Sequence, residues 1–157
     1  MYCGETHSKI DDKGRLNFSS TFKTIMEAKD HYTWYITRGY DNCLFLFEKI
    51  RWEKLITEEI PQATLDPRKM DLRRFLVGGS VKLNVDKQFR ILLPEHLREY
   101  AGIDRDVAIL GLEDHIQIWS STRWNEYFER NASTYKQLAA EEFGMNASKA
   151  AEPMEEN

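Results

Sequence analysis

The sequence predicts a mainly β, α+β fold in which two copies of one short unit share a small closed β-structure. Three observations carry this. Residues 9–23 (KIDDKGRLNFSSTFK) match residues 84–98 (NVDKQFRILLPEHLR) at a constant offset of 75. Residues 35–54 match residues 107–126 at an offset of 72, ending in the pairs Arg51/Arg123 and Trp52/Trp124. Apolar residues in both copies fall in short alternating runs broken by turn residues, which is a strand pattern. A chain of 157 residues can bury a core without disulfide or metal staples. One copy alone cannot, so the halves are expected to share a core.

Taken in order, each copy opens with a short apolar strand ending at Ile10 or Val85. A turn follows, Asp11 to Gly14 or Asp86 to Phe89. The next strand is Leu16-Asn17-Phe18 or Ile91-Leu92-Leu93. A short helix comes after it. In the second copy Pro94 suits the helix's first turn and Gly102 its C-terminal stop. Then come hairpins, 34–38 with 43–47 and 107–110 with 115–119, joined by the turn-like GYDN and GLED. A helix starts after each hairpin, near Arg51-Trp52 and Arg123-Trp124.

Between the copies, Asp66-Pro67 forms an N-cap and first-turn pair. That helix is expected to run to about Val77 and stop at Gly78-Gly79. A last helix, about 122–143, lines up Trp124, Tyr127, Phe128, Tyr135, Leu138 and Phe143 near one stripe. The stripe packs on the core or on a neighbouring subunit. The expected organisation is a first repeat at 5–52, inter-repeat helices at 53–79, a second repeat at 80–124, a C-terminal helix at 125–143 and an acidic, disordered tail at 144–157.

The formal net charge is −4, and residues 139–157 hold five glutamates against one lysine. The body of the chain is therefore balanced, and any polyanion contact rests on local basic clusters. No apolar run approaches a membrane span. The opening MYCGE lacks a basic segment followed by an apolar one, so no signal peptide is expected. Cys3 and Cys43 form no framework, which points to a reduced cytoplasmic protein. His7, His31, His96 and His115 are scattered without metal-ligand spacing, and no cofactor or small-molecule motif is present. Arg68, Lys69, Arg73 and Arg74 make a solvated or ion-paired helix face, or else a supplementary phosphate patch.

The turn Asp11-Asp12-Lys13-Gly14-Arg15 carries most information. Asp11 can accept from backbone N–H groups two residues on. Gly14 suits a positive φ. Arg15 starts the outgoing strand opposite the face of Leu16 and Phe18, where Asp11 can orient its guanidinium. One reading is a structural pair that closes the turn. The other is a rigid tip presenting Lys13 and Arg15 to phosphate or to base edges in a major groove. Both can hold together, and duplication of the tip favours a duplex partner. The second tip, Asp86-Lys87-Gln88-Phe89-Arg90, keeps the aspartate and arginine but has Phe89 where the first has Gly14. A bulky residue at positive φ is costly, so this turn either adopts another geometry or uses Phe89 for contact.

These features together resemble the MraZ family of bacterial transcriptional regulators across residues 1 to about 143. The carriers are the two Asp-x-x-x-Arg turns, Gly4-Glu5, the segment RRFLVGG at 73–79, the strand Ile91-Leu92-Leu93-Pro94, the C-terminal hairpin and the Arg123-Trp124 helix start. The resemblance implies two AbrB-like swapped-hairpin halves in one chain. They would form a pseudo-two-fold β-barrel with short flanking helices, assembled into a ring-like homo-oligomer. It implies no enzymatic activity and no cofactor. It implies binding to tandem DNA repeats upstream of the protein's own division and cell-wall operon, and nucleoid association. Arg15, Arg90 and Lys13 match the family's DNA-contacting positions, and Lys87 lies on the second tip. Asp11, Gly14 and Asp86 would structure the turns. Gln88 and Phe89 replace the usual small residues, and Ser19 stands where the family has proline. A ring would repeat each basic tip, turning modest local charge into avid, salt-sensitive binding.

Two other classes are open to the sequence. A protein-interaction module, as in antitoxin relatives of the swapped-hairpin fold, would use the stripe at Trp124, Tyr127 and Phe128. A small hydrolase using Asp11, Asp12 or Glu113 would need a tight carboxylate pair in a deep pocket.

Overall fold

A computed structural model describes residues 1–29, 32–62 and 65–144. The expectation of a disordered tail falls almost wholly outside these residues. The elements are β1 (Tyr2–Lys9), β2 (Arg15–Asn17), α1 (Ser20–Lys29), β3 (Thr33–Arg38), β4 (Leu44–Glu48), α2 (Lys49–Lys54), α3 (Pro67–Leu76), β5 (Val81–Asn84), β6 (Arg90–Leu92), α4 (Glu95–Ala101), β7 (Asp106–Glu113), β8 (Ile116–Ser120), α5 (Ser121–Asn131) and α6 (Tyr135–Glu142). Met1–Thr122 form one compact unit, and a second begins at Arg123.

Within the first unit, six strands form an antiparallel sheet in the order β1-β7-β8-β4-β3-β5, and β2 pairs with β6 in a separate ribbon. The order is symmetric under exchange of the two copies. Strand β1 of the first copy pairs along its whole length with β7 of the second, from Tyr2↔Glu113 to Lys9↔Asp106. Strand β5 of the second copy pairs with β3 of the first, from Thr33↔Asn84 to Ile36↔Val81. The hairpin strands β4 and β8 meet at the centre.

The core repeats the same relation. Ile10 and Val85, Leu16 and Ile91, Phe18 and Leu93, Phe22 and Leu97, Met26 and Ala101, Leu44 and Ile116, and Leu46 and Ile118 are matched positions, and all are buried. Trp34, which is fully buried, stacks edge-on against Tyr2 at 5.6 Å. Strand β4 is buried at every position from Leu44 to Phe47 because both its faces are covered. Leu44 and Leu46 face the core, while Phe47 packs on Trp52 of α2 at 5.7 Å. Arg51 of α2 donates to Asp114 Oδ2 at 2.8 Å and to Glu59 Oε2 at 2.6 Å, tying the first copy to the β7–β8 turn of the second.

The inter-repeat helix follows its signals. Asp66 caps it by accepting from Arg68 N at 3.0 Å, with Pro67 in the first turn and the last residue at Leu76. In the second copy α4 ends on Gly102 at φ +61°. The last helix departs from expectation. Instead of one helix over 122–143, α5 ends at Asn131, a 3₁₀ turn spans Ala132–Thr134, and α6 restarts at Tyr135. Asn131 Nδ2 donates to Tyr127 O at 2.8 Å and Thr134 Oγ1 to Asn131 O at 2.8 Å. Side chains that bond nearby backbone compete with the helix ladder, and the apolar stripe gave no weight to them. Within this second unit, Trp124, Tyr127, Phe128, Asn131, Ala132, Tyr135 and Leu138 line an open groove of about 520 Å³.

Candidate nucleic-acid interface

The two predicted turns have the same geometry. Asp11 Oδ1 accepts from the backbone N–H of Lys13 and of Arg15, each at 2.9 Å, and Oδ2 accepts from Arg15 Nε at 2.7 Å. Asp86 Oδ1 accepts from Gln88 N at 2.8 Å and Arg90 N at 2.9 Å, and Oδ2 from Arg90 Nε at 2.9 Å. Each turn closes with two backbone bonds, Asp11 N to Arg15 O and Gly14 N to Asp11 O in the first, and their counterparts at Asp86, Phe89 and Arg90 in the second. The backbone N–H of Arg15, then that of Lys13 and the Arg15 guanidinium, hold the Asp11 carboxyl below its usual range, against some desolvation. At Asp86 desolvation opposes ionisation, but the N–H of Arg90, its guanidinium and the N–H of Gln88 outweigh it and also lower the value.

The aspartates spend only the Nε–H of each arginine. Among the described residues the Nη groups of Arg15 and Arg90 donate to no acceptor. The side chains are 31% and 25% exposed, so each guanidinium is oriented and partly open. Lys13 and Lys87 are exposed at the tips.

The ribbon brings the turns together. Arg15 pairs with Leu92, Leu16 with Ile91 and Asn17 with Arg90. Side chains alternate along a strand, so Leu16 and Ile91 point inward and are 0% and 1% exposed. Arg15, Asn17, Arg90 and Leu92 form the outward face. The sequence reading found both arginines but did not place them on one face, because β2–β6 pairing is a long-range contact.

The two turns differ at one backbone position. Gly14 lies at φ +80° and Phe89 at φ +57°. Phe89 therefore does not change the turn. Its side chain is partly buried against the core and lies 6.5 Å from the Tyr32 ring. That packing offsets the strain of a bulky left-handed residue. A Cβ on Gly14 would instead lie 3.2 Å from Arg98 Cζ and Nη1. Arg98, on α4, thus stands directly beside the first tip. Sequence reasoning missed it as a site residue, although its match with Lys23 across the repeat was a signal.

Other candidates are absorbed by structure. Arg74 pairs with Asp71 at 2.8 Å and Arg73 Nη2 donates to Pro61 O at 3.1 Å, so part of the α3 basic cluster is already engaged. Burial, then the Asp41 charge, push the Cys43 thiol up to about 12, which leaves no thiolate nucleophile there at neutral pH. Among the described residues no group of three or more histidine, cysteine, aspartate or glutamate side chains is placed to hold a metal ion, and no helix is long and apolar enough to cross a membrane.

Residues 1–73 and 76–146 match the family described as MraZ protein, antitoxin-like. A protein named transcriptional regulator MraZ from Syntrophomonas wolfei is 37% identical over 142 residues, covering 88% of this chain and 94% of the relative. One of the same name from Moorella thermoacetica is 38% identical over 141 residues, covering 88% and 94%. Another, from Natranaerobius thermophilus, is 35% identical over 144 residues, covering 90% and 96%.

Proposed function

The chain belongs to the MraZ family, and from that membership and the paired turns we propose a sequence-specific DNA-binding transcriptional regulator that acts through the β2–β6 ribbon. Its relatives are named as regulators, not as enzymes. The observation that carries the reading is that two arginines, each locked through Nε onto an aspartate, share one outward face at the two ends of a short ribbon.

A two-stranded ribbon fits a major groove about 12 Å wide. Locked guanidiniums lose little rotamer freedom on binding, and their free Nη groups suit guanine O6 and N7 or a phosphate. Lys13 and Lys87 at the tips suit phosphate, which positions the ribbon without reading sequence. Arg98 adds a third cation beside the first tip. The balanced body charge is met by a ring of copies on tandem repeats upstream of the protein's own operon, each copy contributing one ribbon. Swapped pairing of β1 and β5 supports the double AbrB-like barrel, and nucleoid association follows from the DNA partner.

The test is a gel-shift titration against the DNA upstream of the gene, with a scrambled duplex as control. Specific, salt-sensitive binding that weakens in Arg15→Ala and in Arg90→Ala, with both variants still folded, is the expected result. Each variant should also lower the salt slope by about 1 if its arginine touches phosphate. Equal weak binding of both duplexes refutes the reading.

A protein-binding role is the second reading, favoured by one observation. Phe128, Tyr135 and Leu138 are more than half exposed along the α5–α6 groove. This matches the antitoxin-like description of the family and also suits contact with a second copy.

A further inference from the structure

We infer that Asn17 and Leu92 set the base preference of the ribbon, Asn17 through an adenine and Leu92 through a thymine methyl group. This deepens the DNA-binding reading and rests on it.

The two residues occupy matched positions of the repeat, 75 apart, and both lie on the outward face. Asn17 stands in register opposite Arg90, and Leu92 opposite Arg15. Of the two outward pairs of matched positions, one is identical, Arg15 and Arg90. The other differs completely in chemistry. Phosphates are the same everywhere along a duplex, so one residue type serves at both ends. Base edges differ, so sequence is read where the two copies differ.

Each side chain also suits this role on its own terms. Leu92 is 59% exposed, while its strand neighbours Ile91 and Leu93 are 1% exposed each. Single exposed leucines are common, but this one ends its strand directly opposite Arg15 and two residues on from Arg90, so it shares a face with both cations. A thymine methyl offers it apolar contact without displacing a hydrogen bond. Asparagine is disfavoured in strands, yet Asn17 ends a three-residue strand, exposed, and among the described residues its side-chain amide has no hydrogen-bond partner. Its amide carries both a donor and an acceptor, which matches adenine N6 and N7. The flanking Lys13, Arg15, Lys87 and Arg90 supply the charge that holds a duplex against this face.

The experiment is a selection of bound duplexes from a library with 20 randomised base pairs, using the full chain. Wild type is compared with Asn17→Ala, Leu92→Ala and Leu92→Asn, with melting curves confirming that each variant folds. In Asn17→Ala we expect loss of preference at one A·T pair by roughly 5- to 100-fold, with other positions and the salt slope kept. Leu92→Ala should relax a different position. Leu92→Asn should convert that position from thymine to adenine. If the variants select the wild-type motif with unchanged weights, or weaken all sequences equally with a lower salt slope, the inference is overturned and the DNA-binding reading stands. If wild type enriches no motif, the DNA-binding reading itself falls, and the inference with it.

Discussion

Replacing Gly14 with alanine tests the first turn in isolation. At φ +80° an L side chain is strained, at a cost of about 1–2 kcal/mol. The new Cβ would lie 3.2 Å from the Arg98 guanidinium, which must shift by a few tenths of an ångström. Against these, alanine restricts the unfolded chain and returns about 0.4–1 kcal/mol. The net loss is about 1 kcal/mol, or roughly 3–5 °C in Tm for a unit of this size. The assay is thermal unfolding at one fixed protein concentration, since association would shift Tm by mass action. In an Arg98→Ala background the steric part vanishes, so Gly14→Ala should cost a few tenths of a kcal/mol less there. A variant as stable as wild type, or more stable, would mean that the turn does not hold residue 14 at positive φ, and the matched geometry of the two tips would be wrong.

Further outcomes follow from the same geometry. Carboxyl titration by NMR should place Asp11 and Asp86 below the ordinary aspartate value of about 3.9. Their folded-state values are lowered, so the stability they contribute is fully present above that ordinary value and is lost as pH falls through the lower folded values. Asp86→Asn should weaken specific DNA binding at neutral pH, because an amide turned toward Arg90 Nε sets donor against donor, while an amide turned the other way gives up the N–H bonds of Gln88 and Arg90. Leu46→Ala, at a fully buried site between the two copies' hairpins, should cost about 2–5 kcal/mol in denaturant unfolding. Phe128→Asp should reduce the oligomer mass seen by native mass spectrometry if the α5–α6 groove receives a second copy, and leave it unchanged if it receives another protein.

The repeat was the most legible feature of the sequence, because matched core positions need matched apolar residues. Leu16 with Ile91 and Phe22 with Leu97 announced the shared core before any strand pairing was known. The Asp-x-x-x-Arg turns were legible because their bonds are local, four residues apart. Long-range register was not. Nothing in the order of residues places β1 beside β7 or sets Arg15 across from Leu92. Phe89 looked incompatible with the first turn's geometry because local sterics argue against it, and only its packing beside Tyr32 explains its tolerance. The break at Ala132–Thr134 was hidden by an apolar stripe that continues across it.

The palindromic strand order has an evolutionary consequence. A unit whose first strand completes the sheet of its twin describes equally well two identical chains clasped as a dimer. Joined in one chain, the twins became free to drift apart. A homodimer of a single gene product must place the same residue at both tips; this chain holds glycine at one and phenylalanine at the other, asparagine at one ribbon position and leucine at its mate. The two ends of the ribbon are thus chemically distinct, and on the DNA-binding reading proposed above the clamp would be directional, able to tell one end of its target from the other.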